Sequence, residues 1–416
     1  MPAPTMTDWT HAAPAPGVHT FALLGGMEAG VRAMLVSVLP LEMYAAFGNA
    51  DRVSGIYFLI GFLSLGFGLM VPWLASRLAR RWTYTLGVGL YVSGHVAGLV
   101  GGAAMPLAVA GNALGTVTCL ICLNAYILDY IARSDLGRNE STRMVYSGLA
   151  WTVAPLAGVT ALEIWRPLPF LIAGGIALIM LATFWVLRLG NGKAIARAKA
   201  AAPNPLAYLG RFLRQPRLIL GWTFAVIRSA GWWVFVVYLP IYAIEAGLDK
   251  RVGGLALSVS SGMMFVTPLM LRWMQARSVR RAIRVGFMGA ALCFAGGTLA
   301  AVSGLPWGVV AVLLAGTGFL LLLDVCGGLP FLLAVKPSER TEMAAVYSTF
   351  RDVSAIVSPG MAWLVLLVAP LPWLFAATGG ALAVCWALAS LLHPRLGGAR
   401  GVTRGRGDPR PAPVQP

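Results

Sequence analysis

Apolar runs of about 20 residues follow one another along almost the whole chain, the length a helix needs to cross a ~30 Å hydrocarbon layer. Backbone groups inside lipid must satisfy one another, so only helices and closed barrels span a bilayer. Barrel strands alternate polar and apolar residues, and these runs do not. Twelve candidate spans result, at 19–47, 54–75, 82–101, 105–131, 144–163, 167–187, 217–244, 252–274, 284–303, 306–334, 345–369 and 371–392. Composition points the same way. Of 416 residues 58% are hydrophobic and 11% charged, with a mean hydropathy of +0.76, whereas a soluble surface needs about 25% charged residues. The expected fold is an all-α membrane protein, with twelve transmembrane helices in two pseudo-symmetric six-helix halves.

The net charge of +17 would suggest nucleic acid in a soluble protein. Here it follows from topology, because basic residues collect in cytoplasmic loops, and no nucleic-acid partner is expected. With the N-terminus inside, the outward loops hold Arg52, Arg166, Lys250 and Arg251, beside Asp51, Glu163, Glu245 and Asp249. The inward loops hold Arg77, Arg80 and Arg81, then Arg133, Arg138 and Arg143, and later Arg272, Arg277, Arg280, Arg281 and Arg284. The segment 188–217 adds seven basic residues and no acid. Both termini are therefore expected in the cytoplasm. The first run holds Glu28 and Arg32 and is too long for the apolar core of a signal peptide. The expected organisation is a disordered N-terminus (1–18), a six-helix half (19–190), a basic linker (191–216), a second half (217–393) and a disordered tail (394–416). The Ala/Gly/Arg-rich composition suggests a bacterial cytoplasmic membrane.

Cys119 and Cys122 form a C-x-x-C in mid-span with no histidine or second pair nearby, so no metal site and no cofactor are expected. The halves echo each other. Arg32 and Arg228 are 196 residues apart, as are Pro72 and Pro268, and Val145-Tyr146-Ser147 answers Val346-Tyr347-Ser348. Internal repeats of this kind mark secondary transporters.

Specific motifs extend the pattern. Pro72-Trp73-Leu74-Ala75-Ser76-Arg77-Leu78-Ala79-Arg80-Arg81 resembles the G-x-L-a-D-r-x-G-R-r box of the major facilitator superfamily, with Pro72, Ser76 and Ala79 replacing the glycines and the acid. Lys336-Pro337-Ser338-Glu339-Arg340, Phe350-Arg351 and Ser358-Pro359-Gly360 resemble that family's tenth loop and eleventh helix. Ala154-Pro155-Leu156-Ala157-Gly158 is similar to the G-P-x-x-G element of its drug:proton antiporters. The resemblance covers about residues 19 to 393. It implies a monomeric carrier with alternating access, a central cavity lined by the first, fourth, seventh and tenth spans, and a gating loop carrying Arg77, Arg80 and Arg81.

A charge near the bilayer centre costs roughly 2.5–3.5 kcal/mol and is usually paired or functional. The mid-span charges are Glu28, Arg32, Arg228 and Asp324, with Glu42 and Asp129 nearer span ends. All fall on the four spans that the resemblance places at the cavity. Helical spacing puts Glu28, Arg32 and Glu42 on one face, and makes a stripe of Phe224, Arg228, Trp232 and Phe235. Asn112, Thr116, Cys119, Tyr126 and Tyr130 form another stripe. His95 is expected to be a hydrogen-bonded packing residue.

Three readings fit these charges. Glu28–Arg32 and Arg228–Asp324 can pair to neutralise buried charge. Arg32 and Arg228, with Tyr126 and Trp232, can grip an anionic solute, since arginine presents paired donors to carboxylate or phosphate. Organophosphate carriers of the superfamily are similar, with one arginine on helix 1 and one on helix 7. Glu28 and Asp324 can serve as protonation sites. The last two combine into a proton-coupled carrier of a small organic anion, partnered by solute, bilayer and protons. A proton-driven exporter of lipophilic compounds and a non-transporting receptor or assembly factor are the alternatives. No nucleophile box or phosphate loop points to an enzyme.

Overall fold

The computed structural model describes residues 17–78, 80–131, 135–186, 205–335 and 339–392. The expectations for 1–16, for most of the central linker and for the tail lie outside the described residues. Among the described residues the regular structure is all helical. The N-terminal part comprises α1 (Val18–Leu35), α2 (Val38–Phe47), α3 (Ala50–Arg77), α4 (Arg80–Val100), α5 (Met105–Tyr130), α6 (Leu136–Ile164) and α7 (Leu168–Val186). A short α8 (Pro205–Leu213) precedes α9 (Pro216–Glu245), α10 (Arg251–Gly262), α11 (Thr267–Gln275) and α12 (Val279–Val302). The chain then forms α13 (Pro306–Cys326), α14 (Leu329–Ala334), α15 (Arg340–Ser348), α16 (Phe350–Leu366) and α17 (Pro372–Leu388).

Pro and Gly punctuate this order. Pro106, Pro216, Pro306 and Pro372 open helices, where a missing N–H is harmless. Gly48 and Gly304 turn the chain between helices at φ of 74° and 69°, a conformation other residues rarely adopt. The eleventh expected span is interrupted at Thr349, between α15 and α16, and three others are broken near prolines: α1/α2, α10/α11 and α13/α14. Each of these three breaks lies at the residue four before a proline (Pro40, Pro268 and Pro330), whose ring removes the hydrogen bond to that carbonyl. Pro72, Pro155, Pro240 and Pro359 stay within continuous helices.

Among the described residues, 10 helices or broken helices are long and apolar enough to cross a membrane. The other two expected spans are helical as well. α4 is diluted by Tyr84, Tyr91, Ser93 and His95, and α16 has 17 residues. The chain is a multi-pass membrane protein.

Packing repeats between the two parts. α1 packs on α6 and α7, as α9 packs on α16 and α17; α4 packs on α5 and α7, as α12 does on α13 and α17. α3 meets α5 as α11 meets α13. α2 also meets α9 across the parts, and the two most extensive contacts between them are α3 with α16 and α6 with α10. Both close by small residues: a Cβ on Gly61 would lie 2.7 Å from the Ala355 carbonyl oxygen, and one on Gly254 2.8 Å from that of Pro155. Further along the same helices the parts separate. A Cβ on Gly66 or Gly148 would meet nothing within 4 Å. The separated end is the one that carries Arg77, Arg143, Arg272 and Arg277, so the bundle is shut at the opposite end and open at the arginine-rich one.

Candidate functional site

The space between the parts is a cavity with two lobes. The larger, about 980 Å³, is lined by Arg32, Trp151, Trp232, Asp324 and Arg351, and reaches Met144 and Leu271 at the open end. The smaller, about 330 Å³, lies deeper against Tyr57, Asn112, Trp151, Trp232 and Trp233. Arg32, Trp151, Trp232 and Val236 line both lobes. Arg32 lies just before the α1/α2 break and Asp324 just before the α13/α14 break, so both charges sit where the helices lose backbone hydrogen bonds.

On α1, Arg32 grips Glu28 through two parallel bonds, Nε to Oε1 at 2.7 Å and Nη2 to Oε2 at 2.8 Å. The spacing i, i+4 makes this pair natural on a helix. Glu28 is 1% exposed. Tyr91 of α4 donates to Glu28 Oε1 at 3.0 Å, and its hydroxyl also meets Thr116 Oγ1 at 2.8 Å. The Arg32 guanidinium lies 5.6 Å from the Trp151 ring centroid, a geometry in which the ring face attracts the cation. A buried carboxylate is thus held by a guanidinium from one side and a phenol from another.

The second pair spans two helices. Arg228 Nε of α9 lies 2.9 Å from Asp324 Oδ1 of α13, and Trp232 Nε1 donates to Asp324 Oδ2 at 2.8 Å. Arg228 is set behind this carboxylate, with 11% of its side chain exposed and Phe350 at 5.4 Å. It lines neither lobe.

The sequence-derived residues therefore divide. Arg32, Trp232 and Asp324 meet at one cavity, with Glu28 directly behind Arg32 and Arg228 behind Asp324. Tyr126 is 1% exposed and packs on Phe184 at 5.4 Å, outside the lining of both lobes. Glu42 leaves the Glu28–Arg32 face because the break before Pro40 interrupts the helix, and it pairs with Arg166 at 2.7 Å. Arg77 lies over Trp73 at 5.7 Å and Arg81 over Trp185 at 6.0 Å; the side chains of Arg80 and Asp129 lie outside the described residues. His95 is 3% exposed and stacks on Tyr91, but among the described residues neither ring nitrogen has a hydrogen-bond partner, contrary to expectation. Tyr91, Thr116 as its partner, Trp151 and Arg351 were not singled out as site residues from the sequence. The spacing i, i+7, i+11 of Tyr84, Tyr91 and His95 was the available signal that α4 turns a polar stripe toward α1.

A sequence profile described as Major Facilitator Superfamily matches residues 21–359. The chain belongs to the major facilitator superfamily. No curated protein matches it in sequence. Among solved structures, this superfamily member is similar to the peptide transporter POT in complex with sulfate, with a TM-score of 0.72 at 17% identity over 95% of this chain and 99% of that one. It is similar to the nucleoside transporter NupG, with a TM-score of 0.68 at 13% identity over 90% and 98%. A bacterial homologue of the iron transporter ferroportin in an inward-facing state gives 0.66 at 14% identity over 90% and 98%. Identities this low carry the fold alone. Family membership makes the chain a membrane transporter of small solutes rather than an enzyme.

Proposed function

We propose that this protein is a proton-coupled carrier of a small organic anion, working by alternating access between halves 19–190 and 217–393. The observation that carries the reading is the Glu28–Arg32 pair at the cavity wall. Arg32 reaches the cavity with two of its donors already engaged by Glu28. A solute carboxylate or phosphate needs those same donors. Protonation of Glu28 removes its charge and frees the guanidinium, so proton and anion load together. Trp151 and Trp232 flank the anion, and Asp324, held by Arg228 and Trp232, is the second acid that can take a proton. Two structurally similar transporters of the peptide family are in complex with sulfate and with 5-aminolevulinic acid, both able to carry negative charge. The arginine asymmetry of the loops supports both termini inside, the Ala/Gly/Arg-rich composition supports a bacterial cytoplasmic membrane, and the reading needs one copy of the chain.

The aromatic lining of the smaller lobe favours one alternative, a proton-driven exporter of lipophilic compounds. Proteoliposomes with an interior pH dye separate the two. Organic anions, phosphate esters and lipophilic cations are offered to wild type, Arg32→Gln and Glu28→Gln. The carrier reading expects anion-dependent proton flux in wild type and none in Arg32→Gln. Glu28→Gln mimics the protonated acid, so it keeps anion exchange at equal pH and loses accumulation driven by a pH gradient. Proton flux driven by lipophilic cations that survives Arg32→Gln assigns the exporter instead. Silence across the panel counts against both transport readings and favours the non-transporting one.

A further inference from the structure

The flank of the C-terminal half holds a cavity that shares no lining residue with either lobe of the central one. It measures about 650 Å³ and lies where the start of α12 meets α13 and the end of α17. Arg280, Arg281 and Arg284 form its polar end, and Met288, Leu292 and Phe319 its apolar end. A second apolar groove of about 480 Å³ continues from it, sharing Val285 and Phe319. Leu292 is 65% exposed, so the apolar end faces the lipid side of the bundle.

Among the described residues no acid pairs with these arginines. Residues 252–323 contain Arg272, Arg277, Arg280, Arg281 and Arg284 and no Asp or Glu. Arg280 donates from Nη2 to the Ser390 carbonyl at 2.7 Å, and Arg284 lies over Trp386 at 5.2 Å. The Nε–H of each is buried without an acceptor among the described residues. Buried donors of charged groups are costly to leave unmade. The start of α12 adds the partial positive charge of a helix N-terminus.

The other half shows why the space exists. There Arg81 lies over Trp185 as Arg284 lies over Trp386. The residue after Arg81 is Trp82, which packs edge-on against Trp185 at 5.3 Å. The residue after Arg284 is Val285. The platform is repeated, but the side chain that fills the space beside it is not.

We propose that this cavity binds one anionic phospholipid, with its phosphate among Arg280, Arg281 and Arg284 and an acyl chain along Met288, Leu292 and Phe319. A polar end with three cations that no described acid pairs with, and an apolar end open to lipid, matches a two-part ligand of that kind. The test uses the full chain in mild detergent, with native mass spectrometry and melting temperature as readouts, against phosphatidylglycerol, phosphatidylcholine and free glycerol phosphate. Wild type is expected to retain one phosphatidylglycerol and to melt higher with it than with phosphatidylcholine. Arg280→Gln with Arg284→Gln weakens retention by roughly 30-fold. Val285→Trp closes the groove as Trp82 does and loses the lipid with all three arginines present; if that variant does not fold, the arginine pair decides. Equal retention of the two lipids overturns the proposal. So does wild-type retention in either variant, and so does glycerol phosphate binding as tightly as phosphatidylglycerol, which would make the site one for a soluble anion.

Discussion

Arg228 is held by Asp324 at 2.9 Å with only a tenth of its side chain exposed. Removing one partner of such a pair leaves an uncompensated buried charge and costs about 3–5 kcal/mol, whereas replacing both by apolar groups is often neutral. Asp324→Ala should therefore lower the melting temperature of the purified protein, and adding Arg228→Met should restore most of the loss. A double variant as unstable as the single would mean that Asp324 supports the fold by another route. The same chemistry explains what could be read at this scale. Glu28 and Arg32 were legible as a pair because helix geometry alone brings i and i+4 together. Arg228 and Asp324 were legible as charges out of place in lipid, but which of the two faces the cavity depends on the crossing of α9 and α13. Tyr91 was missed because a tyrosine in a span carries no charge to announce it; its role follows from the approach of α4 to α1. Glu42 was misplaced by extending one helical face across the break that Pro40 makes.

Helices were the more readable level. Expected spans coincide with helices or broken helices to within a few residues, except at the inward starts of the fifth and eleventh, where polar turns add to the helix; the eleventh is also interrupted at Thr349. Apolar length fixes a span, while its angle and neighbours come from the small residues where helices touch. Gly254 is one such point, since a Cβ there would also lie 3.1 Å from Val159 Cγ2. Overpacking of this kind costs typically about 1–3 kcal/mol. The contact joins the two halves, so the penalty falls on the conformation closed at that end and not on either half alone. Gly254→Val should shift the population toward the conformation open at the end opposite the arginines. A Ser64→Cys reporter in the cavity, on a cysteine-free background, should then react at least about fivefold faster with a membrane-impermeant thiol reagent added from that side. An unchanged rate would mean that the α6/α10 contact persists through the cycle.

Across the whole molecule, the closed end is a belt of contacts between halves. Ser54 and Tyr238 hydroxyls meet at 2.8 Å, the Leu156 amide donates to Ser258 Oγ at 3.1 Å, and Glu163 pairs with Arg251. The six-span repeat was visible in the sequence through paired landmarks such as Arg32 and Arg228. Which end is closed was not, because one sequence encodes both conformations and they differ by only a few kcal/mol. Alternation requires the whole belt to part, since every member joins one half to the other. A tether across it should stop the cycle without touching the cavity. Cysteines replacing Glu163 and Arg251, on a cysteine-free background and joined by a short reducible bis-methanethiosulfonate linker, should abolish solute flux in proteoliposomes. Solute binding from the arginine-rich side should persist, because the cavity stays open there. Reduction should restore flux, which distinguishes a blocked motion from a damaged fold. Flux undiminished after complete cross-linking would mean that the halves do not separate at this end, and the rocking of 19–190 against 217–393 would have to be abandoned.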